Sequence, residues 1–130
     1  MGTVLQVEVS PGELIDKITI LEIKAERIAD PGKLANVHRE LRSLTATREE
    51  ALEPSPELEE FTAELRRINE RLWEIEDDIR DCERNGDFGE RFIELARAVY
   101  RTNDRRAAAK RSINELLDSE LVEEKDYAEY

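Results

Sequence analysis

The chain is poor in the residues that most often carry chemistry: it has one cysteine (Cys82), one histidine (His38) and one tryptophan (Trp73). A lone cysteine excludes an internal disulfide and a thiolate metal cluster. No apolar stretch approaches the roughly 20 residues that a membrane-spanning helix needs. The start of the chain lacks the charged-then-apolar pattern of a secretory signal, so a cytoplasmic location is expected. Aromatic residues are only 5%, which speaks against a sandwich fold with a large aromatic core. Positive charge is also scarce: 20 Lys and Arg stand against 32 Asp and Glu, a formal net charge of −12. A field of that sign repels phosphate backbones and anionic lipid surfaces. Neither nucleic acid nor a membrane is an expected partner.

What is present is the composition of long helices, rich in Glu, Arg, Leu and Ala. Charged residues reach 40%, yet 39% are hydrophobic and regularly spaced, which is not the signature of disorder. The 130 residues suit one domain, 1–130. Leu5, Val7 and Val9 alternate, so residues 3–9 read as a short strand or extended arm. Ser10-Pro11-Gly12-Glu13 reads as a capping box with proline at the first helical position. A helix over about 11–29 follows, apolar on more than one face. Asp30-Pro31 opens a second over 31–52, with Leu34, Val37, Leu41 and Leu44 in its stripe, and Pro54 and Pro56 mark the turn after it.

The strongest periodicity belongs to a third helix over 56–84. Leu58, Phe61, Leu65, Ile68, Leu72, Ile75, Ile79 and Cys82 fill successive heptad positions. The short turn before it implies antiparallel packing on the second helix. Asn85-Gly86 closes it. Asp87 reads as the cap of a fourth helix over 88–101, and a polar interruption at Thr102-Asn103-Asp104 either kinks that helix or ends it before a separate fifth over 103–118, with a tail over 119–130. The expected fold is therefore all-α: an antiparallel helical hairpin or coiled coil extended into a four- or five-helix bundle, with a short extended N-terminal arm.

Three patterns could carry chemistry. Glu57, Glu60, Glu74 and Asp77 match the paired-carboxylate spacing of helical nucleotide pyrophosphohydrolases, which hold Mg²⁺. On one unbroken helix, however, Glu60 and Glu74 stand about 21 Å apart, too far to share an ion. No metal site, cofactor or catalytic residue is therefore assigned. His38 has no nucleophile or second histidine beside it in the pattern, and Cys82 fits the seam as a buried thiol.

The third pattern is basic. Arg97, Arg101 and Arg105 follow i, i+4 spacing and Arg106, Lys110 and Arg111 lie close by. Such a stripe either pairs with the acidic residues of the third helix or binds an anion through forked guanidinium donors. The anion reading assigns Tyr100, Arg101, Asn103, Asp104, Arg105 and Lys110 to a site for a phosphate, nucleotide or sugar nucleotide.

Residues 7–24 (VEVSPGELIDKITILEIK), 72–80 (LWEIEDDIR), 98–107 (AVYRTNDRRA) and 121–125 (LVEEK) resemble successive blocks of a small bacterial domain family of unknown function. The resemblance implies a bacterial domain, alone or fused to others, and supplies no activity. It draws attention to Tyr100, Asn103, Asp104, Arg105 and Lys110, polar residues that a purely structural helix does not need. The expectation is a helical interaction module that self-associates as a homodimer, with Leu5, Val7, Val9, Trp73, Ile75 and Ile79 at the interface. An enzyme or sensor for a small anionic metabolite is the alternative.

Overall fold

A computed structural model describes residues 2–130. Four helices form: α1 (Pro11–Arg27), α2 (Pro31–Ala51), α3 (Pro56–Arg84) and α4 (Glu90–Leu116), and no strand forms among the described residues. The first three start by one device. Ser10, Asp30 and Ser55 each accept a hydrogen bond at the side chain from the backbone three residues on, and proline occupies the first helical position. That proline lacks an N–H which would have had no helical partner. The reciprocal half of the capping box at Ser10 does not form, because Glu13 turns to Lys110 instead, at 2.7 Å. Gly86 ends α3 with φ +66, a left-handed conformation that glycine adopts without cost.

The third helix, α3, is continuous, as the heptads require, and Leu58, Leu65, Ile68, Ile75 and Cys82 are buried along it. Its partner differs from the expected one. Helix α3 packs most extensively on α4, while α2 lies against α1 and makes no close approach to α3. The heptads of α2 record an apolar stripe but not which helix will cover it. Only Val37 of α2 is fully buried.

Helix α4 is likewise unbroken from Glu90 to Leu116, so of the two alternatives at residue 102 the break into a separate fifth helix does not occur. Thr102 turns inward and is almost wholly covered, which is why a polar residue there leaves the helix intact. The start also moves: Gly89 is the cap, and Asp87 accepts from the Gly89 N–H instead.

The core has two parts. Around Ile15, Leu58, Leu65, Ile68, Ala109 and Ile113, α1, α3 and α4 meet, and this end is called the base. Around Ile75, Cys82 and Leu95, α3 and α4 pack as a pair, with Ile79, Phe92 and Val99 closing on them, and this end is called the tip. Residues 2–9 belong to no helix or strand and are exposed, and the tail over 119–130 runs back along α4.

Candidate functional site

Charged and polar side chains meet inside the base, where three helices would otherwise present only apolar faces. On α1, Gly12, Asp16, Thr19 and Ile23 follow steps of four, three and four, which place them on one stripe facing α3 and α4. Asp16 is wholly buried, at 0% exposure. Its Oδ1 accepts from Asn69 Nδ2 and from Arg106 Nε, both at 2.9 Å, and its Oδ2 accepts from Arg106 Nη2 at 2.5 Å. Asn69 Nδ2 also donates to Thr19 Oγ1 at 2.9 Å, and Thr19 donates to the Asp16 carbonyl. The Asp16 hydrogen bond, with the charge beside it, raises the Arg106 guanidinium above its ordinary value against the effect of burial. A buried carboxyl held by a fork is thus matched in charge, which removes most of the penalty of burying it.

One turn away, Lys110 reaches Glu13 at 2.7 Å and Glu123 of the tail at 2.6 Å. Burial works against the Lys110 ammonium, but the hydrogen bonds to Glu123 and Glu13 outweigh it and the pKa is raised. Asn114 Oδ1 accepts from the backbone N–H of Gly12 at 2.7 Å. A Cβ on Gly12 would lie 2.5 Å from the Lys110 carbonyl oxygen, so only glycine lets α1 and α4 approach this closely. Every buried side-chain nitrogen and oxygen among the described residues has a hydrogen-bond partner.

Above this network lies a groove of about 540 Å³ between α1, α3 and α4. Ile20, Leu72 and Trp73 give it apolar walls, Asn69 and Arg106 one end, and Asp77 and Arg80 the other. Arg106 spends Nε and Nη2 on Asp16, which leaves Nη1 without a partner among the described residues. Asn103 lines the groove as well and makes no hydrogen bond through its side chain among the described residues. A second cleft, of about 620 Å³, separates α4 from the tail near Ala107, Arg111, Leu121 and Val122.

The six residues of the expected anion site do not share one pocket. Asn103 faces the groove, and Lys110 is buried in its two ion pairs. Tyr100 and Asp104 meet the tail: the Tyr130 hydroxyl donates to Asp104 at 2.5 Å, and the two tyrosine rings stand edge to face. That hydrogen bond to Asp104 raises the Tyr130 pKa. Arg101 and Arg105 are exposed and make no ion pair among the described residues. Nor does the stripe lie on the acidic face of α3: Arg97 pairs with Glu94 of its own helix, and Arg91 alone crosses, to Asp78 and Asp81.

Of the expected interface residues, Leu5, Val7 and Val9 are exposed and Trp73 is half-buried on the groove. Ile75 is not available to a partner. It is 0% exposed, covered within the tip of its own chain, and Ile79 packs against the same cluster. Leu121 and Val122 form no ladder with the arm. His38 is exposed on α2. No group of three or more His, Cys, Asp or Glu able to hold a metal ion comes together among the described residues.

The sequence pattern did not single out Asp16, Asn69, Arg106 and Asn114 as a group. A signal existed on α4, where Asn103, Arg106, Lys110 and Asn114 follow steps of three, four and four. That stripe is rotated from the arginine stripe, and on a helix only one of the two can face the core.

The groove draws on three of the stretches that carry the family resemblance: Ile20 and Ile23 from the first, Trp73 to Arg80 from the second, Asn103 and Arg106 from the third. The chain belongs to a family of unknown function, DUF6165. Its model matches residues 5–130, nearly the whole chain. No curated protein and no solved structure matches it. No helix among the described residues is long and apolar enough to cross a membrane.

Proposed function

We propose that this DUF6165 domain is a helical interaction module that self-associates, in the first instance as a homodimer. The observation that carries this reading is the arm. Leu5, Val7 and Val9 are 81%, 76% and 44% exposed, and residues 2–9 make no hydrogen bond to the rest of the chain among the described residues. Three alternately spaced apolar side chains held in water are costly, at about 25 cal/mol per Å² left uncovered. Lone hydrophobics on a surface are ordinary, but an extended segment of them offers a ready template for pairing. The polar network of the base supports the same reading, since Asp16 with Arg106, and Lys110 with Glu13 and Glu123, pair with one another and tie the helices and the tail together. Sedimentation equilibrium tests it: mass should rise toward twice the chain mass with concentration, and a monomer throughout overturns the proposal.

A second reading is favoured by Arg101 and Arg105, two exposed guanidiniums without ion pairs in a strongly anionic chain. They are free to take the phosphate of a small metabolite, with Lys110 joining only if it leaves Glu13 and Glu123. A thermal-shift screen of phosphates, nucleotides and sugar nucleotides tests this, with Arg105→Ala as the control that should abolish any shift.

A further inference from the structure

We infer that the groove between α1, α3 and α4 receives the N-terminal arm of a second copy of the chain, so that two copies exchange arms about a two-fold axis. The inference rests on the self-association reading and names the surface it uses.

Length is the first argument. Asn69 and Arg80 stand at opposite ends of the α3 wall of the groove. At a rise of ~1.5 Å per helical residue, that wall runs about 16 Å. An extended chain advances ~3.3 Å per residue, so about five residues cover the same span. The stretch from Val4 to Glu8 has that length. Pattern is the second argument. Leu5 and Val7 fall on one side of an extended chain and meet Ile20, Leu72 and Trp73 on α1 and α3, which leaves the opposite side, the one that carries Glu8, to Asn103 and Arg106 on α4. A docked strand also needs partners for its backbone groups on the groove side. The Asn103 side-chain amide, which makes no hydrogen bond among the described residues, offers both a donor and an acceptor there.

Charge sets the direction. Glu8 is the arm's one charged residue among positions 3–9, and the unspent Nη1 of Arg106 stands at the Asn69 end. With Glu8 on Arg106, Leu5 lies about 10 Å further along, near the level of Glu76 and beside Asp77. Because Asp16 holds the other edge of the guanidinium, Arg106 meets the incoming carboxylate without having to reorganise.

The chain's own arm does not reach this place. Ser10 leaves α1 in an extended conformation, and the groove lies alongside Ile20 and Ile23, toward the other end of that helix. To lie there the arm would have to reverse, and residues 3–9 contain no Gly, Pro, Asn or Asp to make the turn. The tail is not a competitor, because Glu123 and Tyr130 tie it to α4 of its own chain. Exchange is isologous: each copy gives one arm and fills one groove, which closes the assembly at two.

The test uses the full chain carrying one new cysteine, since native Cys82 is buried and does not compete. Leu5→Cys and Asp77→Cys chains are mixed and oxidised in air. A disulfide-linked pair should form in the mixture and in neither chain alone. Separately, removal of residues 2–9 should weaken the dimer at least 100-fold while the helical circular dichroism stays unchanged. Two results overturn the inference while leaving self-association intact: a dimer whose affinity survives loss of the arm, or a monomeric internal disulfide in the Leu5→Cys/Asp77→Cys double variant of a chain that still dimerises. A chain that is monomeric at all concentrations overturns both readings.

Discussion

The two ends of the α3 and α4 pair are built from different materials. At the tip, Ile75, Cys82 and Leu95 are enclosed by other apolar side chains, and the ion pairs of Arg91 and Arg84 stay on the outside. At the base, a comparable apolar cluster is crossed by Asp16, Asn69, Thr19, Arg106, Lys110 and Asn114. Helix α1 has 17 residues and helix α3 has 29. Their lengths are about 25 Å and about 43 Å, so the shorter cannot cover the longer. The base is therefore a three-helix joint and the tip a two-helix one. Apolar burial is non-directional and tolerates helices turning about their axes, whereas the fork from Arg106 to Asp16 fixes one rotation and one register. Volume closes the tip and geometry sets the base. The groove lies beside the part whose geometry is set.

Substitutions should break the ends unequally. Asp16→Ala has the largest expected effect, a loss of about 3–5 kcal/mol, because the buried Asn69 and the half-buried Arg106 lose their shared partner. Denaturant unfolding measures it. Amide exchange should then show α1 released first, with Ile75 to Cys82 still protected. Ile75→Ala should cost about 3 kcal/mol by opening a cavity in the tip, with exchange at α1 little changed. Equal loosening at both ends in either variant would erase the distinction drawn here.

Gly12→Ala should cost about 2 kcal/mol, since the new methyl would meet the Lys110 carbonyl rather than a movable side-chain end. At an ordinary helical position the same change stabilises, so the sign of the shift in melting temperature is the readout.

The smallest effect is a pH dependence of the base. Burial lowers the pKa of Lys110, but the hydrogen bonds to Glu123 and Glu13 outweigh it and the folded value is raised. Its contribution is complete below the ordinary lysine value of 10.5 and is lost as pH climbs through the folded value. Melting temperature should fall above about pH 10.5, and the alkaline fall should be smaller in Lys110→Met. Asp81 behaves in the opposite sense at the tip. Its pKa is lowered by Arg91 and Arg84, so what it contributes is present above 3.8 and fades in acid.

Much of this architecture was legible in the amino-acid order. The α3 seam was plain because eight apolar residues kept a heptad without a gap, and Ser10-Pro11 and Asp30-Pro31 marked two helix starts chemically. The partner of α2 was not legible, since Leu34, Val37, Leu41 and Leu44 describe a stripe that either neighbour could cover. Helix α4 looked divisible because Thr102-Asn103-Asp104 interrupts an apolar pattern, but Thr102 is buried, Asn103 is half-buried on the groove and only Asp104 is outward. The site was partly legible. Asn103 and Lys110 were singled out, yet Asp16 was not, because a single aspartate in an apolar helix gains meaning only when Arg106, 90 residues away, is placed against it.

Hydrogen exchange recorded at two protein concentrations, one well above and one well below the association midpoint, tests the functional claim most directly. At the higher concentration, slowing is predicted at residues 3–9 together with Ile20 to Ile23 and Asn69 to Arg80. Slowing confined to α2 or the tail, or rates that ignore concentration altogether, would contradict it.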